Sequence, residues 1–325
     1  MTVALTRVYR AGDLFEENFD VTKVSDHLAL DGTTLWIDLC KPSKEQLAQL
    51  AEELGLHELA VEDALSTHQR PKLDRYDSHL FLSCHTVRVN VDEGRLETTE
   101  VDAFIGGRWL VTVRKDEGFS IDQVVARWDR SPKLAGQGVG FLLYGLLDVV
   151  IDGYFEAVQT LDEFYEGVSE EVLSEKPIEP ARQRQWFVMR QVLIRLHRLV
   201  VPMREAVSSL MRREQSTVTP EMYPYFQDVY DHILRVTESS EALRDLAVTI
   251  AEMNLSMRDY RQNLVMKKVT SWAGIAAVPT LITGFYGMNV PFPGDGKTWG
   301  FTMAMALCVA APLVLFHLFR RRGWL

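Results

Sequence analysis

Residues 269–294, VTSWAGIAAVPTLITGFYGMNVPFPG, make an uncharged run of 26 residues between Lys268 and Asp295. A second run of 22 residues lies between Lys297 and Arg320, with His317 its only titratable group. As a helix rising about 1.5 Å per residue, either run can cross about 30 Å of hydrocarbon. The intervening turn, Pro291 to Lys297, is too short for a domain, so the two runs read as a transmembrane hairpin. Lys267 and Lys268 flank the first span, and Arg320, Arg321 and Arg322 flank the second. The positive-inside rule then puts both of those ends, and the 266 preceding residues, in the cytoplasm, with the turn outside. Two buried helices of a soluble core are the competing reading, but they leave basic clusters beside 48 nearly charge-free residues unexplained. Met1 to Asp20 is mixed and polar, so no signal peptide is expected. A cell (inner) membrane protein with both termini cytoplasmic is the expectation.

A chain of 325 residues with 47% apolar and 25% charged residues suits packed domains and excludes disorder and collagen-like repeats. The net charge of -10 argues against a nucleic-acid partner, which needs a basic face. Its distribution is uneven. Residues 267–325 hold six basic groups and one acid, leaving 29 basic and 44 acidic groups before them, so the first part carries -15 and the last +5. Cys40, Cys84 and Cys308 are odd in number and far apart, which fits neither a disulfide framework nor a zinc site and points to a reducing compartment.

The fold class read from these patterns is α+β: a cytoplasmic α/β domain, then long helices, then the hairpin. In residues 1–135, Thr34 to Cys40 reads as a strand, and Ser43 with Gln46 forms a capping box opening a helix that runs to Gly55. Leu80 to Val89 and Val101 to Ile105 read as further strands, and Gly106-Gly107 turns the latter into Trp109 to Val113. From Gly138 apolar residues recur at helical spacing, with breaks at Lys176-Pro177 and at Thr217 to Pro220. Residues 136–218 give a helical hairpin. Its first half has ten carboxylates from Asp148 to Glu179, with only Lys176 opposing, and its second half, Arg182 to Arg213, has eight arginines against Glu205. Opposite charge is expected to draw the two together, with cation attraction a second possible role.

Residues 219–289 form the third helix, with Thr219 as N-cap and Pro220 at the first helical position. No glycine or proline occurs from Phe226 to Trp272, so stalk and first span read as one helix of roughly 100 Å. One heptad seam of its membrane part holds Gly287, Gly284, Thr280, Ala277, Ala273, Thr270, Met266 and Asn263. Small and weakly polar residues of this kind suit helices crowding round a narrow wet axis. The same seam continues inward as Asp259, Glu252, Asp245, Glu238 and Asp231, a carboxylate at every seventh position. Ionised carboxylates cannot be buried unpaired, so this ladder faces water or cations. It is either the solvated face of an amphipathic helix or a stack of acidic rings about 10 Å apart along the axis of an oligomer. Two spans cannot enclose a conduit, so the second reading requires several copies, with the first span inside and the second outside. Residues 290–298 are the external loop, 299–319 the second span and 320–325 a basic tail anchored at the inner headgroups of the membrane lipid, with Trp324 in the interface.

At Tyr286-Gly287-Met288-Asn289 the sequence resembles the CorA family of magnesium channels, whose signature is a Gly-Met-Asn triplet ending the first of two C-terminal spans. Also similar are Glu62-Asp63 followed by His68 to Lys72, Asn263 with Met266-Lys267, Pro279 and Thr280, and the basic end Arg320 to Leu325. The resemblance covers the whole chain. It implies a funnel-shaped homopentamer that admits Mg2+, with Co2+ and Ni2+ as lesser permeants, and that closes when cytoplasmic Mg2+ occupies acidic sites between subunits. It implies no enzyme activity and no organic cofactor. Gly287, Met288 and Asn289 would be the selectivity filter, holding hydrated Mg2+ by outer-shell hydrogen bonds, since Mg2+ surrenders its water reluctantly. The pore below would be lined by Asn263, Met266, Thr270, Ala277, Thr280 and Gly284.

The resemblance puts Asp228 at the family's inter-subunit regulatory metal site. The family's acidic partner there aligns with Asn90, and Asp92, two residues on, is the expected substitute. The outer loop departs as well: an acidic stretch common in the family is replaced by Val290 to Lys297, where Asp295 is opposed by Lys297. The alternatives are a zinc transporter of the related ZntB type, which carries Ile in place of Met288, and an enzyme or sensor anchored by the hairpin. The latter lacks a phosphate-binding glycine loop, a nucleophile elbow and His/Cys metal spacing, and His68, His79 and His85 read as surface or packed residues.

Overall fold

Seven strands in one mixed sheet carry the first part of the chain. The computed structural model describes residues 4–67, 69–174, 178–214, 216–289, 291 and 294–325. His68, Glu175, the Lys176-Pro177 break, Val290, Phe292 and Pro293 lie outside the described residues. The chain divides into two compact units, residues 1–248 and 249–325.

In the first unit the strands are β1 (Ala4–Arg10), β2 (Asp13–Glu17), β3 (Thr33–Cys40), β4 (Lys72–Arg75), β5 (Leu80–Asn90), β6 (Arg95–Ile105) and β7 (Trp109–Arg114). They lie in the order β2-β1-β3-β7-β6-β5-β4. β3 and β7 pair in parallel and the remaining neighbours are antiparallel. The short helices are α1 (Val24–Leu28), α2 (Lys44–Leu54), α3 (Glu58–Leu65) and α4 (Asp122–Arg130). α2 begins at the expected capping box, Ser43 with Gln46, and stops at Gly55, whose φ of 63° is the left-handed cap that favours glycine. Leu47, Leu50 and Ala60 on α2 and α3 pack with Leu35, Ile37, Phe81, Phe104 and Val111 into one apolar layer.

Three long helices follow, α5 (Val139–Leu173), α6 (Pro180–Arg213) and α7 (Tyr223–Tyr286), and then α8 (Thr298–Arg321). α5 lies along β5. At its start the Trp128 indole of α4 donates to the Leu142 carbonyl (3.2 Å) and meets Trp36 edge-on at 4.7 Å. Gly145 makes this possible, because a Cβ there would overlap the Trp128 ring.

Three details differ from expectation. The β1–β2 hairpin lies in the mixed N-terminal segment, where polar residues masked the alternation. α7 starts at Tyr223, not Pro220: Thr219 caps a preceding turn through Met222 N–H (3.0 Å to its carbonyl), and Pro224 falls in the first helical turn, where its missing N–H costs nothing. Opposite charge also does little to join α5 to α6. Among the described residues one ion pair links them, Arg182 to Glu171 at 2.7 Å, while Asp148 and Asp152 turn to Arg127 of α4. The long helices are held by apolar rows, among them Leu161, Val168, Met189, Leu196 and Met203.

The second unit contains the rest of α7 and α8. These two helices are long and apolar enough to cross a membrane. None of the most apolar 18-residue window of α8 is buried, unlike the core helix of a soluble protein. Trp272 meets Phe316 at 6.3 Å, Phe319 lies against Gly274, and Ser271 is fully buried.

Candidate functional site

In each of the two units α7 carries exposed residues at heptad spacing. In the first unit its buried side is Phe226, Val229, Ile233, Val236, Ser240, Leu243 and Ala247. Asp231, Glu238 and Asp245 lie exposed on the opposite side. Among the described residues the buried rows satisfy their polar groups locally: Thr237 donates to the Ile233 carbonyl and Ser240 Oγ lies 3.0 Å from His197 Nδ1. In the second unit Ser271, Gly274, Ile275, Val278 and Ile282 are the more covered residues of α7, on the side of α8. Glu252, Asp259, Asn263, Met266, Thr270, Ala273, Ala277, Thr280 and Gly284 are exposed.

The outer end of the stripe departs from helix. Gly287 N–H still donates to the Thr283 carbonyl at 2.9 Å, but Met288 and Asn289 continue as a turn and are exposed. Thr280 donates its hydroxyl proton to the Ala276 carbonyl (3.3 Å), which leaves the hydroxyl oxygen as a pure acceptor. Pro279 cannot donate to the Ile275 carbonyl, but the acceptor this frees lies towards α8 and not on the stripe. Acceptors without competing donors are what the water shell of a cation requires.

Among the described residues one group of three can converge on a metal ion: Asp148 of α5 with Asp228 and His232 of α7, their ligand atoms all within 4.8 Å of one another. Asp228 and His232 are one helical turn apart, with Oδ2 and Nδ1 3.7 Å apart. Asp148 is buried, and its carboxyl is pushed above the usual range by desolvation, against the pull of Arg127, whose Nη2 lies 2.5 Å from Oδ2. Burial likewise raises the Tyr144 phenol to about 12. Two carboxylates, one of them buried, favour a cation between them.

Asp92 is expected to reach Asp228 from another copy of the chain, a meeting that a single chain does not contain. Asp92 sits on the turn at residues 91–94 that joins β5 to β6, and among the described residues nothing links it to Asp228 within one chain. Asn90 is committed to that turn, its Oδ1 accepting from Glu93 N–H at 3.0 Å. Asp148 and His232 were legible only in part: the spacing of His232 from Asp228 is visible in the sequence, but Asp148 is one acid in a run of ten.

Known proteins align with this chain over nearly its full length. The family profile for the CorA-like Mg2+ transporter protein matches residues 31–321. The cobalt/magnesium transport protein CorA of Thermotoga maritima is 29% identical over 297 residues, 90% of this chain and 84% of that one. The putative metal ion transporter YfjQ of Bacillus subtilis is 30% identical over 292 residues, 89% of each chain. The complete structure of the CorA magnesium transporter from Methanocaldococcus jannaschii shares the fold with a TM-score of 0.76, at 21% identity over 99% of both chains.

Proposed function

The chain belongs to the CorA-like Mg2+ transporter family, a family of ion transporters and not of enzymes, and from that premise we propose that it is a passive Mg2+ channel. Copies of the chain assemble as a homopentamer in the cell (inner) membrane, with both termini cytoplasmic. Residues 1–135 and 136–218 form the cytoplasmic body, 219–289 the stalk and first span, 290–298 the outer loop, 299–319 the second span and 320–325 the tail.

The observation that carries this reading is the stripe on α7. Residues that would line a shared axis are exposed from Asp231 to Asn289, while the other side of the same helix is occupied by the domain core or by α8. A ring of Asn289 side chains with Gly287 carbonyls selects hydrated Mg2+ without a carboxylate, so the ion is not trapped. Met288 completes the triplet. Below it Gly284, Thr280, Ala277, Thr270, Met266 and Asn263 alternate polar steps with apolar constrictions. The ladder from Asp259 to Asp231 concentrates divalent cations by its field. The membrane potential draws Mg2+ inward with about 4.6 kcal/mol per 100 mV for two charges. Co2+ and Ni2+ are lesser permeants.

Regulatory Mg2+ binds at Asp228, with Asp92 approaching from a neighbouring copy and Asp148 from the same chain. Purified protein in liposomes with an internal Mg2+ dye tests conduction: influx is expected in the wild type and absent in Asn289→Ala. Zn2+ uptake that outcompetes Mg2+ would establish the ZntB-type alternative in its place.

A further inference from the structure

The side of α8 turned away from α7 carries a groove of about 350 Å³ lined by Leu313, Val314, His317, Leu318 and Arg321. These positions recur at the spacing of a single helical stripe, while Phe316 and Phe319, on the other side, meet Trp272 and Gly274 of α7. Leu313 is 54% exposed, Val314 58% and Leu318 49%. Over about 12 Å the groove is lined by Leu313, Val314 and Leu318 with His317 among them, and it ends at a cation, the profile of a lipid tail below a phosphate.

Its charged end is built up by the residues that follow. Gly323, with φ 68°, reverses the chain, Gly323 N–H donates to the Arg320 carbonyl (3.2 Å), and Trp324 N–H donates to the Phe319 carbonyl (2.9 Å). The Trp324 indole thereby stacks on Phe319 at 5.6 Å with the rings 3° from parallel. This reversal fixes an interfacial indole beside Arg320, Arg321 and Arg322, all exposed, at the same end of the hairpin as Lys267 and Lys268. His317, whose Nδ1 donates to the Leu313 carbonyl at 3.2 Å, lies one turn below Arg321 in the groove.

The geometry points to a binding site for an anionic phospholipid of the surrounding bilayer, its phosphate on Arg321 and one acyl chain in the groove of Leu313, Val314 and Leu318. Charge complementarity identifies the occupant: five cations and no acid gather at this end, and zwitterionic lipid gains much less from them. The inference rests on the membrane reading of the hairpin given above.

The test extracts the full chain from vesicles of equal phosphatidylglycerol and phosphatidylcholine and measures retained lipid by native mass spectrometry. Wild type is expected to retain phosphatidylglycerol preferentially. Arg321→Gln is expected to lower that retention about fivefold, the effect of one basic residue at an anionic surface, and Arg321→Lys to restore most of it. Val314→Trp, which keeps every charge but fills the groove, is expected to lower it as well. Equal retention of both lipids by the wild type, retention unchanged in either Arg321→Gln or Val314→Trp, or displacement by inorganic phosphate overturns the proposal. So does a wild type that retains no lipid, the outcome if a second copy covers this face. Vesicle flotation separates the two levels: protein that does not float sinks the membrane reading, whereas protein that floats without headgroup preference sinks this site alone.

Discussion

Lys115 Nζ lies 2.8 Å from Asp102 Oδ2 between β7 and β6, with the carboxylate side chain fully buried. The same ammonium donates to the carbonyls of Asp63 (3.2 Å) and Ala64 at the end of α3. Asp63 in turn accepts from Lys72 (2.6 Å) and Gln69 (3.2 Å). Lys115 therefore ties the Glu62-Asp63 motif to the sheet. Removing it leaves Asp102 buried without a countercharge, which costs about 3–5 kcal/mol. Lys115→Met is expected to lose that much stability in denaturant titration of the detergent-solubilised chain, and Lys115→Met with Asp102→Leu to recover most of it. Equal losses in the single and double variants would show that the pair is not what holds the motif.

How far such features could be read beforehand depended on their range. Ser43 with Gln46 and Gly55 fixed α2 because capping acts within four residues, and the uncharged runs fixed the two spans because length against bilayer thickness needs no tertiary information. Only Val101 to Ile105 of β6 is visible in the sequence pattern, although the strand begins at Arg95. Arg95 to Glu100 is polar apart from Leu96 and only Thr99 and Glu100 of it are buried, so its strand character comes from pairing with β5 and not from alternation. At the candidate site the α7 stripe was legible because a seven-residue repeat is a local periodicity. The meeting of Asp148 with Asp228, 80 positions apart, depends on how α5 packs on α7, which no local pattern encodes. The Arg127 bridge to Asp148 and Asp152 likewise depends on packing, here of α4 on α5.

His79 gives the first unit an acid limit. It is 4% exposed, stacked with Tyr76 at 5.3 Å and near Phe104 at 5.7 Å. Burial first, and the proximity of His57 second, hold its imidazole at about 4, below the ordinary 6.5. Because the folded value is the lower one, the unfolded chain binds the proton first as pH falls. Stability is thus unaffected by this group above pH 6.5 and declines between about 6.5 and 4, by about 3 kcal/mol in total. His79→Phe is expected to flatten that segment of the stability–pH curve. A variant whose curve keeps the wild-type slope there assigns the acid limit to another group.

Gly145 sets the approach of α4 to α5. A methyl group at this position meets the Trp128 indole, whose ring is held by the Leu142 carbonyl on one side and Trp36 on the other. The indole cannot retreat without losing one of these, so Gly145→Ala is expected to cost about 1–3 kcal/mol even though alanine is the better helix former. Gly167, on the same helix with open space around it, is the control, and Gly167→Ala is expected to be neutral or stabilising. Thermal unfolding of the two variants side by side checks the assignment; equal midpoints would show that the Trp128 pocket yields.

If the cluster at Asp228 is the regulatory site proposed above, Asp228 and His232 should serve different ions. Mg2+ takes oxygen ligands and keeps much of its water, so a carboxylate on α7 can hold it through that shell, and imidazole adds little. Co2+ and Ni2+ accept imidazole readily, and for them His232 would be a direct ligand beside Asp228 and Asp148, whose ligand atoms lie within 4.8 Å of its own. Asp228→Asn keeps the side-chain volume and removes the charge, and is expected to raise the internal Mg2+ needed to suppress flux by about tenfold or more. His232→Ala is expected to leave Mg2+ suppression near wild type while weakening suppression by Co2+ and Ni2+. Liposome flux measured against graded internal concentrations of each ion separates the two roles. Full suppression of Asp228→Asn by millimolar internal Mg2+ removes this cluster from the gate, and an equal effect of His232→Ala on all three ions gives the histidine a structural role instead.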